Sequence, residues 1–343
     1  MPLKTYSSFD EKNQLFLPDS DYPENKIDDI QTFNKWYDNF LETSIYETNN
    51  FEYFFRGMPE AKYKLFNSAQ REWLLNNMQN WKPGYDYLQF IKDLITEAKT
   101  KPLFKHVLSY YQIDFETEAD FPILSILQHY GSPTPLMDFT YNLDVALYFA
   151  TESVDAMSAS DSIDGYFSIY MINKSENENL KNIFEYTMSM FPTLALFQQQ
   201  SFDPVNGINF ACYISDFEAN TDLGPKFTSN VPANLPANAL QKSRPLTSYF
   251  NQNIIPQQGL FIFNPSPDRS LEDIFNNDAQ KKSIVHGNLK LSPFFCYNIK
   301  KDLADYVRRK ISKHDIVNSF IYPELKSFLK QVKENVFNNC LSQ

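Results

Sequence analysis

A few side chains stand where polar chemistry interrupts apolar segments: Arg56, Gln128, His129, Thr134, Asp138, Thr140 and Gln257. His129 and Asp138 have the types of an acid–base pair, as a hydrolase would need, but no GxSxG elbow or reactive-cysteine context accompanies them to supply a nucleophile. Arg56 closes a run of aromatic residues, and guanidinium and ring faces together can stack on nucleobases. Each residue also has a plainer reading. Arg56 and Asp138 could neutralise one another as a buried pair. His129 could simply hydrogen-bond a backbone carbonyl, and Thr134 and Thr140 could close turns or, with Asn142, cap a helix. Gln257 could satisfy a strand edge, and Asp216, Glu218 and Glu272 are read as solvated surface.

The elements that position these groups follow from periodicity and punctuation. Ile123 to Ala150 reads as a helix ending at Tyr130, a turn at Gly131-Ser132-Pro133, a short apolar strand over Leu136 to Phe139, and a helix from Leu143 to Ala150. Phe51 to Phe55 reads as a buried strand that delivers Arg56 at its end, after which Gly57 lets the backbone turn away. A late strand from Gln257 to Phe263 is entered by polar residues.

Around this centre, Ile30, Phe33, Trp36, Tyr37 and Phe40 predict a helix from Ile30 to Glu47, with Asp28 and Asp29 suited to its first turn. Further helices are expected over Ser68 to Asn80 and Asp86 to Tyr111, the second kinked or divided at Pro102. Tyr166 to Ile172 reads as a strand, Glu178 to Met190 as a helix and Ser270 to Asn276 as a short helix. Leu289 to Ile299 reads as a strand that Pro293 places at an edge. The end is helical in two pieces, the last striped by Ile321, Leu325, Phe328, Val332 and Val336. Strands are few and separated by helices, so the class is α+β. The division expected is an extended arm lying over the surface at 1–29, one large domain at 30–335 with an irregular insertion near 200–256, and a tail at 336–343.

Composition narrows the function. With 43% hydrophobic and 16% aromatic residues in 343, a large core is available. Only 8 glycines, with no GxGxxG or Walker loop, argue against a Gly-rich phosphate cradle. A net charge of -11 works against long-range attraction to nucleic acid or an anionic bilayer, although a local basic groove remains compatible with it. Cys212, Cys296 and Cys340 lie far apart without a CxxC, and the histidines lack ligand spacing, so neither disulfides nor a metal site is expected. No apolar leader or eighteen-residue apolar window is seen, and a cytoplasmic protein without membrane association is inferred.

Phe55-Arg56-Gly57, Gln128-His129-Tyr130-Gly131, Pro133-Thr134, Leu136-Met137-Asp138-Phe139-Thr140, Ala146-Leu147-Tyr148-Phe149-Ala150 and Gln257 with Gly259 and Phe261 resemble, in order, the motifs of the FRG family, named for its Phe-Arg-Gly. Tyr322-Pro323-Glu324-Leu325 is similar to that family's closing element. The family's Leu-Asp-Trp-Thr stands here as Met137-Asp138-Phe139-Thr140, and its Pro-Thr-Arg as Pro133-Thr134-Pro135. More loosely, Arg56, Thr140 and Gln257 resemble the ordered Arg, Ser-Thr-Ser and Glu of ADP-ribosyltransferases, which are built of small sheets with helices packed around them.

That resemblance implies NAD+ as substrate, with Arg56, Gly57, Thr134 and Thr140 holding it and Arg56, Thr140, Gln257, Asp138 and His129 in catalysis. Arginine supplies a rigid fork of donors for a diphosphate or ribose edge. The late residue should meet positive charge developing at the anomeric carbon; Gln257 brings none, so Asp138 is the candidate carboxylate. The resulting expectation is a bacterial-type enzyme that ADP-ribosylates a macromolecule, protein or nucleic acid, as a toxin or phage-defence effector with a possible antitoxin or regulatory partner. The alternative is a non-catalytic module that binds a nucleotide or nucleic acid.

Overall fold

The computed structural model describes residues 3–16, 21–43, 53–110, 120–173, 211–213, 257–264, 266–273, 285–286, 289–290 and 294–322. The expected helix over Glu178 to Met190, the stripe from Leu325 to Val336 and most of the 200–256 insertion lie outside these residues.

The frame is a mixed sheet of seven strands: β1 (Lys26–Ile27), β2 (Tyr53–Met58), β3 (Leu136–Thr140), β4 (Tyr166–Asn173), β5 (Ala211–Tyr213), β6 (Gly259–Phe263) and, after the hairpin β7 (Val285–His286) and β8 (Leu289–Lys290), β9 (Phe294–Lys300). Across the sheet their order is β1-β9-β4-β2-β3-β6-β5. Helices accompany it, and the class is α+β. Pro293 lies just before β9 rather than within it, so β9 runs without interruption between β4 and the short β1. That departs from the edge position expected for it.

Helix α2 (Ile30–Thr43) begins where the Asp29 carboxylate accepts from the Thr32 backbone N–H at 2.9 Å, and its buried face is Phe33, Trp36 and Tyr37. It shares one core with α7 (Leu143–Thr151) and α8 (Ala304–Ser312) against one side of the sheet. A second core gathers α3 (Ser68–Leu75), α4 (Tyr87–Lys99), α5 (Pro102–Tyr110) and α6 (Asp120–His129) around Leu136 and Phe261. Pro102 is the first residue of α5, where its missing N–H is harmless, so it divides the long expected helix.

The amino-terminal segment is not a surface arm. Tyr6, Phe9 and Phe16 are buried, and Lys12, on helix α1 (Phe9–Asn13), is wholly enclosed. Its ammonium donates to the Ala61 carbonyl at 2.7 Å, Ser168 Oγ at 2.9 Å and Asn298 Oδ1 at 2.9 Å, which uses all three of its protons. Glu272 is likewise not solvated surface. It is buried and accepts the Tyr6 hydroxyl at 2.8 Å and the Leu65 N–H at 3.1 Å.

Strand β2 departs from expectation at the functionally central point, because it continues through Arg56 and Gly57 to Met58. Alternation sends Phe55 and Gly57 to the α7 side and Phe54 and Arg56 to the other. Gly57 therefore does not turn the chain. A Cβ there would lie 2.6 Å from the Ala150 nitrogen and collide with the Ala146 carbonyl oxygen, so the absent side chain is what lets α7 lie on the strand.

A candidate functional cleft between two diverging strands

Strand β2 is paired along its length with β4, from Tyr53↔Asn173 to Met58↔Ser168, yet it meets β3 in register only at Phe55↔Thr140. Beyond that pair the two strands separate. The backbone carbonyl of Asp138, which a ladder would have paired, instead accepts from Arg56 Nη1. The guanidinium thus spans the gap where the sheet opens, about 6.0 Å from the centre of the Phe139 ring.

A cavity of about 750 Å³ occupies this opening, and Arg56, His129, Asp138, Thr140 and Gln257 all line it. The late-strand and early-strand motifs, far apart in sequence, therefore converge on one hollow. Gly57 lines it as well, but Thr134 does not.

Helix α6 reaches the cavity with its last turn. Gly131, at φ 77°, ends it, with Ser132 N–H donating to the Leu127 carbonyl at 2.9 Å in a Schellman-type cap. This leaves Gln128 and His129 facing the cleft. Gln128 is fixed at both ends of its amide: the Thr134 hydroxyl donates to its Oε1, and its Nε2 donates to Asp138 Oδ2 at 2.6 Å. Asp138 is exposed to the cleft with one carboxylate oxygen so held. Arg56 and Asp138 are consequently joined through backbone rather than as the ion pair that would neutralise both.

Two hydroxyls have structural assignments. Thr134 is fully buried; its N–H donates to Ser68 Oγ at 2.9 Å and its carbonyl accepts from the Ala69 N–H at 3.0 Å, so it orients Gln128 and cannot touch a ligand in the cavity. Thr140 donates to the Gln257 carbonyl at 2.7 Å and accepts from the Asn142 N–H at 3.0 Å. Asn142, not Thr140, caps α7 through the Asp144 and Val145 N–H groups. Gln257 in turn donates its amide to the Ile321 carbonyl at 3.0 Å, tying the start of β6 to α9 (Asn318–Ile321).

His129 is half-buried with its ring edge-on to Tyr130 at 4.7 Å. Burial lowers its pKa below the ordinary 6.5, partly opposed by the Asp138 charge, so the ring is neutral at pH 7 and able to accept a proton. The sign for stability follows. The unfolded chain takes up this proton at higher pH than the folded one, so the fold is favoured fully above pH 6.5 and loses that contribution as pH falls through the lowered value. Melting curves of the protein and of His129→Gln at pH 7.5 and pH 5 should show a smaller acid loss in the variant; equal losses would contradict a depressed pKa.

Some lining residues had no sequence signal. Arg71 comes from the first turns of α3, its Nη1 donating to the Phe66 carbonyl at 2.9 Å. Lys64 lines the cavity with its ammonium 3.5 Å from Asp273 and over the Tyr6 ring. Leu3, Lys4 and Thr5 form a wall, held by a bridge between Thr5 and Tyr63 and by Tyr6 N–H donating to the Lys62 carbonyl at 2.8 Å. Tyr322, noted only within the closing motif, lines the cavity too. Among the described residues no cluster of His, Cys, Asp and Glu could hold a metal ion, and no helix is long and apolar enough to cross a membrane.

No curated protein and no solved structure matches the chain. Residues 51–159, which carry β2, the Gln128-to-Thr140 segment and α7, match the family model of the FRG domain, so the resemblance read from the ordered motifs is borne out over that stretch.

Proposed function

We propose that the cleft binds NAD+ and transfers its ADP-ribose to an acceptor on a macromolecule. The observation that carries this reading is the convergence of Arg56, Asp138, His129 and Gln257 on one cavity of about 750 Å³, a volume within the range that holds cofactor-sized ligands. Among the described lining residues Asp138 is the one carboxylate. The bond between the ribose anomeric carbon and nicotinamide breaks, nicotinamide leaves neutral with the electron pair, and positive charge appears on the ribose. Asp138, held by Gln128, is the group able to offset that charge as it forms. The acceptor's nucleophile attacks the same carbon and gives its proton to a base, a role open to neutral His129. Thr140 and Gln257 serve here as positioning residues, since the Thr140 hydroxyl is engaged with the Gln257 carbonyl and the Asn142 N–H, and the Gln257 amide nitrogen with the Ile321 carbonyl.

Those same engagements favour a second reading, in which the cleft holds a nucleotide without turning it over. Incubation with NAD+ labelled in its adenylate half and a cell lysate separates them. Label transferred to a macromolecule, with release of nicotinamide, supports the enzyme. Calorimetric binding of NAD+ with neither event supports the binding module.

A further inference from the structure

Two guanidinium groups approach this cleft from separate elements, Arg56 from β2 and Arg71 from α3. Among the described residues neither has a carboxylate within ion-pair distance. Arg56 meets only the Asp138 carbonyl, and Arg71 only the Phe66 carbonyl. Arg56 Nε is buried with no hydrogen-bond partner. Both groups line the same cavity; burial depresses the Arg56 pKa, the Asp138 charge opposes this, and the Arg71 charge adds to the depression. Arg71 is exposed at the cleft, and partial desolvation lowers its pKa against the opposing charge of Glu72. Both remain cations at any pH the protein meets.

Arg56 is half-buried, and in a chain with 42 acidic residues no described carboxylate forms an ion pair with it or with Arg71, so both guanidiniums keep donors available to an anion in the cavity. Unused donors on two planar forks, aimed into one hollow, match tetrahedral oxyanions that accept several hydrogen bonds each.

We propose that Arg56 and Arg71 form a phosphate subsite, taking the diphosphate of a nucleotide, with Arg71 as the binding residue that no sequence motif marks. The subsite rests on the cleft being a ligand site, as proposed above, but not on any turnover of NAD+. Lys64 is a lesser contributor, because Asp273 already stands beside it.

Calorimetric titration of the full chain with inorganic pyrophosphate and with ADP-ribose tests this. Both should bind, and R71Q should weaken both by about tenfold or more, the scale of losing charge-assisted hydrogen bonds. R71K should fall between, since it keeps the charge and loses the fork. Pyrophosphate that fails to bind the unaltered protein, or binds R71Q as tightly, would overturn the subsite. If R71Q does not fold, the melting temperature of the unaltered protein decides: a rise with pyrophosphate supports the subsite and no rise removes it. Pyrophosphate binding without nicotinamide release from NAD+ would remove the enzymatic reading alone.

Discussion

Gly57→Ala is expected to destabilise the protein by about 3 kcal/mol or more, at or beyond the upper end for overpacked cores. The reason is where the new methyl would go. It would press on the Ala146 carbonyl oxygen and stand 2.6 Å from the Ala150 nitrogen, so main chain rather than a movable side chain blocks it. To make room, α7 must lift from β2, and it cannot do so alone. Its far side carries α8, whose Arg308 donates to the Thr151 and Val154 carbonyls, and Asn142 fixes its first turn. Against the 5–15 kcal/mol typical of a folded domain, a loss near 3 kcal/mol is large. Urea unfolding should show the midpoint fall sharply. Adding Ala150→Gly should not restore it, because the obstruction is backbone. A midpoint unmoved by Gly57→Ala would mean that α7 does not approach the strand as described.

On the NAD+ chemistry proposed above, Asp138→Asn is expected to lower the rate of nicotinamide release by about 10²–10³-fold while leaving NAD+ affinity little changed. The substitution is nearly isosteric. Asp138 is exposed to the cleft, and the asparagine oxygen can still accept from Gln128 Nε2, so geometry is kept while the negative charge is lost. A charge that matters only as the glycosidic bond opens should appear in kcat rather than in KM. Single-turnover release of nicotinamide with the variant and with Gln128→Ala checks the point. Gln128→Ala keeps the charge but frees the carboxylate to move, so it should cost less. A variant at Asp138 that releases nicotinamide at the original rate would take the carboxylate out of the mechanism.

How much of this could be read from the chain depended on whether a residue's partner is close in sequence. Phe33, Trp36 and Tyr37 announced α2 because helix periodicity is local, and Pro102 and Gly131 marked breaks by their own backbone constraints. The central strand over Leu136 to Thr140 and the helix after it were legible for the same reason. Gly57 was misread because a glycine after a short aromatic run resembles a turn, whereas its function is set by Ala146 and Ala150, about ninety residues later in the chain. Lys12 looks like surface until residues 61, 168 and 298 close around it. The convergence of Arg56, Asp138 and Gln257 was expected from motif order, and turn or cap roles for Thr134 and Thr140 stood beside ligand-holding ones, but their partners, Gln128 for Thr134 and the Gln257 carbonyl for Thr140, were not legible, since a hydroxyl carries no mark of its partner. Arg71 is one arginine on one short helix, and only the fold gives it a neighbour of like charge.

The wall contributed by Leu3, Lys4 and Thr5 bears on how the molecule can be joined to other things. Leu3 is itself part of that wall, so a bulky body fused closely ahead of it would stand beside the cavity and screen it, more so the shorter the tether. A purification handle or fluorescent reporter in that position would compete with incoming molecules for the same space.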